Sequence, residues 1–161
     1  MVGDHSGFVG SGLGTAIGAS LANRGASVWC LCGDQGFANG LTALLSGVDN
    51  KVDINVIVWN NGGSESLRKQ GRKASYWSEE LQLVLKNGDS QAADVAAGIG
   101  CIARQVDFLV DPECAPDRLS RALGEMVGTQ RSPGPNLLEI VAPVEPEVWS
   151  DVWRTTGFDQ S

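Results

Sequence analysis

Cations, histidine and paired cysteine motifs are scarce in this chain. Its 12 lysines and arginines face 19 acidic residues, for a net charge of −7 over 161 residues. That balance argues against nucleic acid and anionic membrane as partners. The four cysteines, Cys30, Cys32, Cys101 and Cys114, form no CxxC pair. That argues against a zinc or iron–sulfur site, and a reducing cytoplasm fits best. No apolar run approaches the roughly 18 residues of a spanning helix. The N-terminus lacks the basic-then-apolar pattern of a signal peptide. Glycine, by contrast, is plentiful at 21 residues, clustered near turns rather than repeated. With 42% hydrophobic residues, the length predicts one domain with a sizeable core.

The stretch from Cys32 to Gly63 organises the rest. Residues 27–32 and 54–59 are near-continuous apolar runs with β-branched residues, which reads as two buried parallel strands. Between them, residues 38–48 carry Leu41, Leu44, Leu45 and Val48 at helical spacing. This is a βαβ unit, and the expected fold is α/β: three layers, a mostly parallel sheet with helices on both faces. Open sheets of this kind place ligands beyond the carboxyl ends of their strands. Asp34 and Asn61 lie just past the two strands. Alone, Asp34 reads as a helix N-cap. Together, a carboxylate and an amide oxygen suit one Mg²⁺, which keeps phosphate and water in its remaining positions. Backbone N–H groups at Gln35 and Gly36, opening the helix, would face an anion. The implied ligand is a diphosphate bridged by Mg²⁺.

Here the sequence resembles a known family. Gly33-Asp34 followed by Asn60-Asn61-Gly62-Gly63 is similar to the GDG…NN signature of thiamine diphosphate enzymes. The resemblance is strongest to the diphosphate-binding (PP) domain of the acetolactate synthase and benzoylformate decarboxylase group. The segment 7–22 (GFVGSGLGTAIGASLA) is similar to that group's GTMGYGLPAAIGAxLA, 60–70 to its NNxxYGxxRxxQ, 94–100 to its alanine-rich helix, and 135–141 to its last strand, GPxlIEV. Two departures stand out. Gln35 replaces the second glycine of GDG, and Ser64-Glu65 replaces Tyr-Gly or Gln-Gly.

The resemblance implies thiamine diphosphate and Mg²⁺ as cofactors. Asp34 and Asn61 would bind the metal by side chain and Gly63 by its carbonyl. Gly33, Gln35 and Gly36 would line the diphosphate. Gly7 would offer its carbonyl to the pyrimidine amino group, and Val9 would stand where a bulky apolar residue bends the cofactor. Ser64, Glu65 and Ser66 would face the substrate, with His5 a further contact. The cofactor carries its own carbanion chemistry, and the protein binds, bends and activates it. The activating glutamate of such enzymes comes from another domain, and Glu65, Glu79, Glu80 and Glu139 match no motif for it. The expectation is therefore the small subunit of a split enzyme, in a hetero-oligomer with a chain carrying the pyrimidine-binding domain. A fragment of a longer chain is the alternative. The implied reaction decarboxylates a 2-oxo acid and transfers or protonates the resulting acyl carbanion. Other implied functions are a sulfopyruvate- or phosphonopyruvate-decarboxylase-like subunit, a 2-oxo acid:ferredoxin oxidoreductase β subunit, and an inactive regulatory homologue.

Along the remaining chain, Gly10-Ser-Gly12-Leu-Gly14 is a near miss for GxGxxG, with Thr15 out of place and no convincing preceding strand. Helices are expected over 15–23, ended by Gly25, over 76–86, over 91–97 capped by Ser90, and over 116–127 with Leu119, Leu123, Met126 and Val127 on one face. Strands are expected over 103–110 and 136–141. Arg68, Lys69, Arg72 and Lys73 form a solvated basic face or an anion cradle. The domain is expected to end at 143. An acidic tail with Trp149, Trp153 and Phe158, over 144–161, is expected to dock on a surface.

Overall fold

The computed structural model describes residues 8–64, 78, 80, 91–128 and 133–143. Eight elements follow in order: α1 (Ser11–Ala22), β1 (Trp29–Gly33), α2 (Asp34–Asp49), β2 (Asn55–Asn60), α3 (Ala92–Gly98), β3 (Ile102–Asp107), α4 (Ala115–Val127) and β4 (Asn136–Val141). The four strands form one parallel sheet in the order β1-β2-β4-β3. The expected α/β architecture, with helices on both faces, is what this chain folds into.

Side-chain alternation along the strands sorts the core into two layers. Cys30, Val56, Val58 and Leu137 face α1, α2 and α3, and pack with Leu13, Phe37, Leu44, Ala93 and Ala96. Val106, Leu138 and Ile140 face the other way and pack on Ala115, Ala122 and Met126 of α4. On that second face the β1 end stands open. Leu31 is 74% exposed and Trp29 40%. The expectation of two buried strands therefore holds for most of β2, where Trp59 near the tip is 37% exposed, and fails for β1. As the outer strand among the described residues, β1 buries only alternate side chains.

Helix α1 begins earlier than expected, at Ser11, because Gly10 turns the chain with φ of 102°. A Cβ on Gly10 would lie 2.8 Å from the backbone carbon of Asn39, and one on Gly40 would lie 2.8 Å from the Gly10 carbonyl oxygen. The near-miss glycine motif thus serves a close crossing of α1 over α2, where only hydrogen fits. The helix ends at Ala22 with Asn23 as its C-cap, and Gly25, expected to end it, lies in the following turn.

Strand β3 ends at Asp107 rather than 110. The Asp107 carboxylate accepts hydrogen bonds from the backbone N–H groups of Leu109 (2.7 Å) and Val110 (3.1 Å), and this turn leaves Val110 80% exposed. In α4, Val127 is also exposed, and Ala122 takes the inward place beside Met126. The helix expected over 76–86, the basic cluster from Arg68 to Lys73 and the tail over 144–161 lie outside the described residues.

Candidate functional site

The site lies where β1 and β2 end side by side. Their register pairs Gly33 with Trp59, so Asp34 and the Asn60–Gly63 turn leave the sheet at neighbouring tips. Asp34 is the first residue of α2, and Gly33, in extended conformation, is its N-cap. No cap bond comes from the Gly33 position. The Asp34 carboxylate itself accepts the N–H of Gln35 at 2.7 Å through Oδ1. Its other oxygen, Oδ2, accepts the N–H of Gly63 at 2.7 Å. One carboxylate therefore ties the start of a helix to the turn after the next strand.

The turn needs its glycines. Gly62 and Gly63 have φ of 81° and 134°, a region where side chains bring strain. Gly62 also donates its N–H to the Asn60 side-chain oxygen at 3.1 Å. Asp34 is buried, and burial pushes its carboxyl above the ordinary 3.8, against the pull of the N–H groups of Gly63, Gln35, Gly62 and Asn61. Among the described residues no ion pair involves Asp34. A buried carboxylate held by neutral donors alone is electrostatically unfinished, and a cation would complete it.

The donors present fit Mg²⁺. They are a carboxylate, a carboxamide and backbone carbonyls, all hard oxygens. Among the described residues no group of three His, Cys, Asp or Glu side chains gathers as a metal cage.

Several expected site residues are gathered here: Gly33, Asp34, Gln35, Gly36, Asn61, Gly63 and Ser64 all lie on the two strand tips or the first turn of α2. Two details differ from expectation. The Gln35 N–H, expected to face an anion, is engaged by Asp34. Val9, expected to act as a wedge, is 61% exposed in the turn before α1. His5, Gly7, Glu65 and Ser66 lie outside the described residues.

Glu139 is a residue whose place the sequence did not show. It is fully buried in β4, opposite Val58 of β2 and Gln105 of β3. Its Oε1 accepts the Asn60 Nδ2 at 2.6 Å and the Ala92 N–H at 3.0 Å. Its Oε2 accepts the Ala93 N–H at 2.9 Å and the Gln105 Nε2 at 3.1 Å. The start of α3 is thus capped by a distant strand, with Gln91 as its N-cap residue. Ser90, expected in that role, lies outside the described residues. A charged residue amid the apolar run Leu137-Leu-Glu-Ile-Val141 is the signal that marks such a position.

A parallel sheet with a buried carboxylate under a glycine turn at its strand tips defines a ligand-binding α/β domain. The family follows from comparison. Residues 3–140 match the family described as "Thiamine pyrophosphate enzyme, C-terminal TPP binding domain", and the chain belongs to it. It is 25% identical over 143 residues to the acetolactate synthase isozyme 1 large subunit of Escherichia coli (strain K12), covering 89% of this chain and 23% of that protein. It is 28% identical over 142 residues to the putative acetolactate synthase large subunit IlvX of Mycobacterium tuberculosis, covering 85% of this chain and 26% of that one. Among solved structures, the thiamine diphosphate-dependent 4-hydroxybenzoylformate decarboxylase of Rhodococcus jostii RHA1 superposes with a TM-score of 0.68 at 26% identity, covering 87% of this chain and 24% of that one. The chain thus spans about a quarter of the length of these relatives.

Proposed function

We propose that this chain is the diphosphate-binding part of a thiamine diphosphate- and Mg²⁺-dependent enzyme that decarboxylates a 2-oxo acid. With carbon dioxide lost, the acyl carbanion left behind would be joined to a second acceptor or protonated. The observation that carries this reading is Asp34, a buried carboxylate joined to Gly63 across two strand tips and lacking a cationic partner among the described residues.

In this reading Asp34 and Asn61 bind Mg²⁺ by side-chain oxygen, and Gly63 by its carbonyl. The first turn of α2 offers the Gly36 N–H and the positive end of the helix dipole to the diphosphate, while the Gln35 N–H is held by Asp34. When bound, thiamine diphosphate supplies the carbon nucleophile that attacks the 2-oxo acid. Gly7 and Val9 belong to the pyrimidine side, and Ser64, Glu65, Ser66 and His5 to the substrate side. The carboxylic acid that activates the cofactor comes from a partner chain, or a further domain, with the pyrimidine-binding fold. With a separate partner chain, the working enzyme would be a hetero-oligomer.

Calorimetry tests this. With the partner chain present, thiamine diphosphate should bind only when Mg²⁺ is added, and Asp34→Ala should abolish that binding while the fold survives. Binding that ignores Mg²⁺, or that survives Asp34→Ala at full strength, would overturn the assignment.

A further inference from the structure

Glu139 and Asp34 belong to different elements and share no hydrogen bond, yet a continuous chain of bonds joins them. Glu139 Oε1 accepts the Asn60 side-chain N–H at 2.6 Å. The oxygen of the same Asn60 amide accepts the Gly62 N–H at 3.1 Å. The next residue, Gly63, donates its N–H to Asp34 at 2.7 Å. An amide has one orientation that satisfies both neighbours. Its NH₂ must face Glu139, and so its oxygen faces the turn.

We propose that Glu139 is a positioning residue for the metal and diphosphate turn: through Asn60 it fixes the Gly62–Gly63 backbone that seats Asp34. The inference rests on the functional reading of Asp34 above for its purpose, though not for its mechanics. Three features carry it. Glu139 is fully buried, which demands a reason, because a carboxyl group out of water is destabilising unless its oxygens are hydrogen-bonded. Its four donors are all neutral and come from three directions: Asn60 at the end of β2, Gln105 of β3 and the start of α3. Gln105 is itself held, donating to the Gln91 side-chain oxygen at 2.7 Å. The carboxylate is thus clamped from below by the sheet and from above by a helix, and Asn60 inherits that rigidity. A left-handed turn of two glycines is otherwise soft, since glycine tolerates many conformations. The anchor supplies the order that the glycines lack.

Amide hydrogen exchange in the ligand-free 161-residue chain tests the relay. Removing the anchor with Glu139→Leu should speed exchange at Gly63 about ten-fold or more, as expected for a lost hydrogen-bonded constraint. Val56 and Val58, in the ladder of β2, serve as the reference for any change in global stability. Asn60→Ala should speed Gly63 by a similar factor. The double variant should be no faster than the faster single one, because both act on one path. If Glu139→Leu does not fold, Glu139→Asp keeps a carboxyl group and withdraws its oxygens by one methylene. It should still loosen Gly63 about three-fold or more relative to Val56. Gly63 exchange that follows Val56 and Val58 in Glu139→Leu or Glu139→Asp, or singles that multiply in the double, would overturn the proposal. Exchange reads the relay alone, whereas Mg²⁺-dependent cofactor binding reads the functional assignment, so the two ideas fail separately.

Discussion

The two ends of strands β2 and β4 treat the same kind of side chain in opposite ways. At the carboxyl end, Asn60 spends its donor on Glu139 and its acceptor on Gly62. At the amino end, Asn55 and Asn136 face each other in register, and both are buried. Among the described residues neither atom of the Asn55 amide has a hydrogen-bond partner, nor does the Asn136 Nδ2. Burying an unpaired amide costs about 1–3 kcal/mol. The contrast teaches where fixed geometry is wanted. Polar groups at the carboxyl tips are locked by hydrogen bonds, as the site proposed there requires. Those at the amino end bear no such demand, and the fold tolerates them at a loss.

Exchange of one residue type at both ends sharpens this contrast. Asn60→Val leaves Glu139 and the Gly62 N–H each short of a partner and should destabilise the chain by about 1–3 kcal/mol. Asn55→Val removes atoms that are already unpaired, and should be neutral or stabilising by up to about 1 kcal/mol. Urea titration of both variants gives the two numbers. Equal losses would break the comparison.

A smaller effect concerns pH. In the folded chain Asp34 keeps its proton to higher pH than the ordinary 3.8, mainly because it is buried. Folded chains therefore bind more protons than unfolded ones across that window. The stability contributed by this group is complete below 3.8 and is lost as pH rises through the raised value. Asp34→Ala forfeits the bonds to Gln35 and Gly63 but also removes this drift. Its destabilisation should shrink as pH rises through the window, read as the gap between wild-type and variant urea midpoints. A gap that stays constant, or widens, would contradict the burial of the carboxylate.

Much of the site was legible because it is local. The apolar runs, the glycines and the positions of Asp34 and Asn61 each follow from a few consecutive residues. They led to the βαβ unit, the parallel sheet and the family. The strand over 136–141 was likewise readable, since Leu137, Leu138, Ile140 and Val141 make it largely apolar, as a buried parallel strand is. What escaped the sequence is non-local. The cap of α3 comes from Glu139, 46 residues beyond Ala93, and no spacing rule connects them. The openness of β1 depends on its place at the margin of the sheet, which strand composition does not encode. The early end of β3 was a different failure. Asp107 marks it locally, but the apolar Phe108-Leu-Val110 that follows reads as more strand.

The glycine turn also bears on how the protein ages. Asn61 precedes Gly62, the pairing most open to spontaneous deamidation, in which the following backbone nitrogen attacks the asparagine side chain and closes an imide ring. That nitrogen is occupied here, donating its hydrogen to Asn60 at 3.1 Å. Loosening the turn through Asn60→Ala should therefore hasten the one-dalton mass gain at Asn61 during alkaline storage, as peptide mass spectrometry would record; an unchanged rate would mean that the bond gives no shelter. A bond that shapes the turn is also what keeps an old molecule from acquiring a second negative charge beside Asp34.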